Sequence, residues 1–162
     1  MRVLRQQVRQ DLLTESKKHK AWKLLCQIPS IGPMRAAGLL GNLQIPHRFR
    51  TKRQLWTYGG VGIETSSSAD HHVVKGQKKK HVEIRGLNRN YNHDLKNIFK
   101  GAAIVAATKP GPFAEFYAEL LAKGMRPEMA RLTLARKIAT IVLIVWKRGV
   151  CFDAQYRTPQ TA

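Results

Sequence analysis

Three consecutive hydroxyls, Ser66-Ser67-Ser68, precede a run of cations at Lys75, Lys78, Lys79, Lys80 and Arg85. A serine hydroxyl is a useful nucleophile only where its surroundings activate it. Cations around it would hold a scissile phosphate and stabilise the charge that develops on it. The chemistry this pattern offers is attack on a phosphodiester. The same tripeptide also reads as a polar turn, since serine is a common turn former. Arg85, Asn88 and Arg89 flank Gly86, where a long helix is expected to begin. There they would clamp backbone phosphates with help from the helix N-terminal partial charge. Ordinary helix capping is the other reading of those three residues.

A second candidate is the turn Ile28-Pro-Ser-Ile-Gly-Pro33, set between two helical patterns. Pro29 stops the first helix by disfavouring helical geometry at Ile28. Gly32 is free to take positive φ. Pro33 suits the first turn of the next helix. A helix-hairpin-helix-like turn of this kind, with Ile31 and Gly32 at its apex, presents backbone N–H groups to a phosphate.

Metal chemistry finds little support. His71-His72 with His81 or Asp70 matches no standard zinc spacing. The ten carboxylates are scattered, whereas a two-metal phosphoryl-transfer site needs several converging on the ions. No metal ligand is assigned, and a self-sufficient metal-dependent nuclease is not expected. Cys26 and Cys151 are isolated, read as small buried hydrophobes, and fit a reduced cytoplasm. Trp22, Trp56 and Trp146 read as core residues. Tyr58, just before Gly59-Gly60, is read as packing or pointing into the site.

The chain has 162 residues, a net charge of +19 and a pI near 10.6. A field of that size needs a polyanionic partner. Nucleic acid fits best, because phosphate neutralisation with counterion release supplies much of its binding energy. The basic residues are spread along the whole chain, which disfavours a membrane-surface helix. The most apolar stretch, Ile138–Trp146, is too short to span a bilayer. The N-terminus lacks the apolar run of a signal peptide, so a cytoplasmic location is expected.

The elements that must position these residues are mostly α-helical. Residues 1–26 read as one coiled-coil-like helix with a thin stripe of Val3, Leu4, Val8, Leu12 and Leu13 for a partner. Residues 27–148 follow as one domain, and 149–162 as a flexible tail. Within the domain, helices are expected over 33–43, from Thr51-Lys-Arg-Gln54 through Tyr58, from Asn88 to about Thr108, over 113–123, and from Pro127 to about Arg148. In the last, Met129, Leu132, Ala135, Ile138, Ile141, Val142 and Val145 are expected inward. Thr65–Asp70 reads as a turn. Residues 71–85 read as a mobile basic loop or as a short β-hairpin of His71–Lys75 and His81–Arg85.

Several motifs then occur in one order: Ile28–Pro33, Ala36-Ala37, Leu39-Leu40, Arg48-Phe-Arg50, Gln54-Leu55, Tyr58-Gly-Gly60, Ser67-Ser68, Arg85-Gly-Leu-Asn88, Phe113…Phe116-Tyr117 and Leu134-Ala-Arg-Lys137. Over about residues 25–148 this resembles the C-terminal domain of the insertion sequence 110/116/902 family of transposases. The resemblance implies a nucleophilic serine, best matched by Ser68 with Ser67 as the alternative register. It implies an N-terminal RNase H-like domain with an acidic DEDD metal site, so that any divalent metal belongs there and this chain holds no cofactor. It implies DNA as partner, in some members a structured guide RNA, and a homo-oligomer, here through the N-terminal helix. Val61-Gly-Ile63 and Ala69-Asp70 depart from the family's Pro- and Gly-containing stretches, which puts the shape of the turn around the serine in question. The expectation is the DNA-binding C-terminal part of a transposase, active only with the acidic domain. The alternative is a non-catalytic nucleic-acid-binding module or an inactive truncated remnant.

Overall fold

The computed structural model describes residues 2–74, 77–87 and 89–153, with backbone alone at residue 2 and over 64–85. The order is α1 (Arg2–Lys17), α2 (Lys20–Cys26), α3 (Pro33–Leu43), a 3-10 turn (Pro46–Arg48), α4 (Lys52–Tyr58), β1 (Ile63–Val74), β2 (Gln77–Leu87), α5 (His93–Thr108), α6 (Pro112–Ala122) and α7 (Pro127–Arg148). The mostly α-helical expectation holds, with one antiparallel hairpin inserted between α4 and α5.

The helix starts follow local chemistry. Thr51 and Gln54 form a reciprocal capping box at α4. The Asn92 side chain accepts from the Leu95 N–H and starts α5. The sequence placed that start at Asn88, but the helix begins only where a side-chain cap is available. Pro33, Pro112 and Pro127 open α3, α6 and α7. Gly149, at φ 63°, closes α7.

The expected single helix over 1–26 is broken. His19 has extended geometry, and its Nδ1 accepts the Ala21 N–H, which ends α1 and caps α2. Ala21 and Leu25 then join the main core, so α2 packs with the helical body. Along α1, Val3, Leu4, Val8 and Leu12 stay exposed, from 76% down to 42%.

The centre of the molecule is α7. Ile138, Ala139, Thr140, Ile141, Val142, Leu143, Val145 and Trp146 are all buried, so this part of the helix is enclosed on every side. Leu95, Phe99, Ala102, Ala103 and Ala106 of α5 belong to the same core, as do Leu39 and Leu43 of α3 and Leu55 of α4. Met129 departs from its expected inward position: it is 47% exposed, and the adjacent Ala130, fully buried, is the inward residue of that turn. No described helix is long and apolar enough to cross a membrane.

Candidate functional site

The hairpin carries the serines and most of the cations singled out in the sequence. It is longer than the short hairpin expected, because residues 65–70, which read as a turn, lie in β1. Strand pairing overrides the weak local strand preference of Ser and Asp. Ser66 pairs with Glu83 and Ser67 with Val82. The register then slips. The next pair is His71 with Lys80, so β1 advances four positions where β2 advances two. Ser68, Ala69 and Asp70 fall in this break.

A second break lies lower on the hairpin. Glu64 pairs with Gly86 and Thr65 with Ile84, so Arg85 is the extra residue of β2. Gly86, at φ 96°, takes the backbone conformation that a side chain would strain. Bulges of this kind bend a strand and re-aim what it carries. Ser68, which the family resemblance singles out of the three serines, and Arg85, chosen for its charge, both sit at them. Lys78, Lys79 and Lys80 lie in β2, in register with Val73, His72 and His71. Lys75 and Asn88 lie outside the described residues. Arg89 is exposed just beyond the hairpin.

The foot of the hairpin is held firmly. The N–H groups of Val61 and Gly62 both donate to the Trp56 carbonyl, at 2.9 and 2.8 Å. On the other side, the Asn92 N–H donates to the Tyr58 carbonyl at 2.8 Å, and Asn92 Nδ2 donates to Asn42 Oδ1 at 3.0 Å. Gly60 (φ 67°) and Gly62 have no room for a side chain. A Cβ would sit 2.7 Å from the Tyr91 ring at the first and 2.8 Å from the Thr57 nitrogen at the second. A groove of about 530 Å³ opens beside this foot, with Ala103, Ile104 and Leu132 among its apolar lining and Lys96, Lys100 and Arg131 among its cations.

Several cations rest on aromatic faces. The Arg48 guanidinium lies 4.8 Å from the Tyr58 ring centre and 5.1 Å from that of Phe49. Lys96 Nζ lies 4.0 Å from the Tyr91 ring. Of the two readings of Tyr58, packing is the one the structure shows: its ring lies against Phe49 and under Arg48.

The turn at Ile28–Pro33 is present, with one correction. Ser30, at φ 73°, makes the reversal, while Gly32 is extended (φ −79°, ψ 174°) and forms the N-cap of α3. An N-cap needs an extended backbone, so the chain must reverse earlier. The Ile31 side chain is buried in the core and its N–H donates to the Ile28 carbonyl at 3.0 Å. Arg35 Nη1 donates to the Ser30 carbonyl at 2.9 Å and pins the turn. A Cβ at Gly32 would meet nothing within 4 Å, and no side chain caps α3. The α3 N-terminus thus faces open space and lies on a different element from the hairpin.

Among the described residues, no three His, Cys, Asp or Glu side chains gather to hold a metal ion. The side chains of Asp70, His71, His72 and His81 lie outside the described residues. The cysteines depart from the buried setting expected of them: Cys151 is exposed and Cys26 is only partly buried, which pushes its thiol up from the ordinary range.

The model of the transposase IS116/IS110/IS902 family matches residues 22–118, from α2 through most of α6, and the chain belongs to that family. No curated protein matches it.

Proposed function

We propose that this chain binds DNA and supplies a serine nucleophile, Ser68 with Ser67 as the alternative register, to DNA strand exchange during transposition. The observation that carries the reading is the coincidence of Ser68 and Arg85 with the two register breaks of a hairpin inside the family match. Ser68 Oγ attacks the phosphorus of a phosphodiester. An Oγ–P bond forms and the bond to one deoxyribose oxygen breaks. The hydroxyl proton is given up and the leaving oxygen takes one. A deoxyribose hydroxyl of the other strand then reverses the step, conserving the bond energy. Lys75, Lys78, Lys79, Lys80, Arg85, Asn88 and Arg89 hold the phosphates and offset the extra negative charge in flight.

At the turn of Ile31-Gly32, the α3 N-terminus that begins at Gly32 grips duplex backbone without reading sequence, while Ile31, buried and with its N–H already bonded, shapes the turn. The exposed stripe of α1 joins copies of the chain. A structured guide RNA is a further partner. Activity requires an acidic RNase H-like domain, whose divalent metal supplies Lewis-acid chemistry, and the protein works in the cytoplasm. The test is strand exchange by Ser68→Ala in a transposase that includes that domain. Loss of exchange with DNA affinity kept supports the reading. Unchanged exchange assigns the hairpin to nucleic-acid binding alone.

A further inference from the structure

We propose that Arg136 is a positioning residue that fixes the angle of the hairpin on the helical body, and so the placement of Ser68. The inference rests on the serine reading above. Arg136 lies on α7, remote in sequence from the hairpin and outside the residues matched by the family model. Its Nε donates to the Val61 carbonyl at 2.6 Å, two residues before β1 begins. Its own carbonyl accepts from Trp56 Nε1 at 3.1 Å, and that N–H also reaches Thr140 Oγ1 at 3.2 Å. The Trp56 carbonyl in turn holds the Val61 and Gly62 N–H groups. Trp56, Arg136 and the segment 61–62 therefore form a closed circuit at the hairpin foot.

The circuit is an awkward way to build stability. Arg136 Nη2 is buried and has no hydrogen-bond partner among the described residues, and burial makes the guanidinium easier to deprotonate than usual. A half-buried charge is seldom the most stabilising choice, and an apolar side chain could fill much of the same space. What Arg136 supplies that an apolar residue cannot is a fixed donor on the Val61 carbonyl, with its charge 5.9 Å from the Trp56 ring centre.

The geometry makes the foot a lever. Ser68 is roughly 17 Å along β1 from Ile63 at a strand rise of about 3.3 Å per residue. A tilt of about 10° at the foot would move it by roughly 3 Å. A misplacement of about 1 Å can cost on the order of 10²-fold in rate.

The test compares Arg136→Met, which keeps the apolar stem and loses the donor, with Arg136→Lys, which keeps a donor. In the 162-residue chain, amide hydrogen exchange across 61–68 and 82–87 is expected to speed up at least tenfold in Arg136→Met. Exchange in α5 and α7 stays near the parent rate, and Arg136→Lys restores most of the hairpin's protection. Unchanged hairpin exchange, or equal acceleration throughout the domain, overturns the proposal. With the acidic domain present, Arg136→Met is expected to lower strand exchange on the order of 10²-fold, with DNA affinity within about twofold of the parent. Exchange that survives Arg136→Met but not Ser68→Ala overturns the anchor. Exchange that survives Ser68→Ala overturns the serine reading instead, and the hydrogen-exchange result then decides the anchor alone.

Discussion

Ser68 and Arg85 were visible as residue types, but the property that distinguishes them is a register. Nothing in Ser66-Ser67-Ser68 says which hydroxyl lies opposite a regular partner and which falls at a break; only the pairing with β2 separates Ser67 from Ser68. Arg136 was legible only as part of the Leu134-Ala-Arg-Lys137 motif, with no role attached to it. Its meaning comes from the Val61 carbonyl, distant in sequence. The cysteines give a residue-scale prediction that does not depend on function. Burial holds Cys26 protonated to higher pH, and only the thiolate reacts readily. In the native chain at about pH 8, a thiol reagent should label Cys151 well before Cys26, and denaturant should remove most of the difference. Equal native rates would contradict the partly buried setting of Cys26. Because burial disfavours the thiolate in the folded chain, stability is kept below the ordinary thiol range and falls as pH rises from there to the raised folded value.

At the scale of elements, the sequence was most legible where start and stop signals are strong. Pro33, the Thr51–Gln54 box, Pro127 and Gly149 mark boundaries that the structure reproduces. It was least legible where a signal is tertiary. The break at Lys18-His19 contains neither Pro nor Gly and depends on an imidazole nitrogen accepting one N–H. Residues 65–70 carry turn chemistry and form a strand because β2 lies alongside. Thr51→Ala removes the side-chain cap of α4 and should cost about 1 kcal/mol, read as a shift in the denaturant midpoint at constant slope. Gly62→Ala places a methyl against the backbone of Thr57. It should loosen the hairpin foot and raise amide exchange in β1 and β2 while leaving α6 unchanged. A Gly62→Ala hairpin as protected as the parent's would mean that the foot is not held by this close approach.

Across the whole molecule, a core built around α7 supports a surface that is strongly cationic. Leu134 is fully buried within that core. Leu134→Ala should destabilise by about 2–5 kcal/mol, measurable by denaturant unfolding. The charge of +19 predicts DNA affinity that falls steeply and log-linearly with salt. A Lys78/Lys79/Lys80→Ala variant should show a shallower slope. Net charge was legible at once, but the sequence could not say that it would be shared between a hairpin, an open α3 N-terminus and cations resting on aromatic faces. The central claim is that Ser68 becomes covalently joined to DNA. The most direct measurement is to trap the reaction of a transposase carrying this segment and its acidic domain on a DNA substrate, and to map the attached residue by peptide mass spectrometry. A phosphodiester-linked nucleotide is expected on Ser68, or on Ser67 in the alternative register, absent when the attacked serine is replaced by Ala. Strand exchange proceeding with no DNA attached to either serine would contradict it.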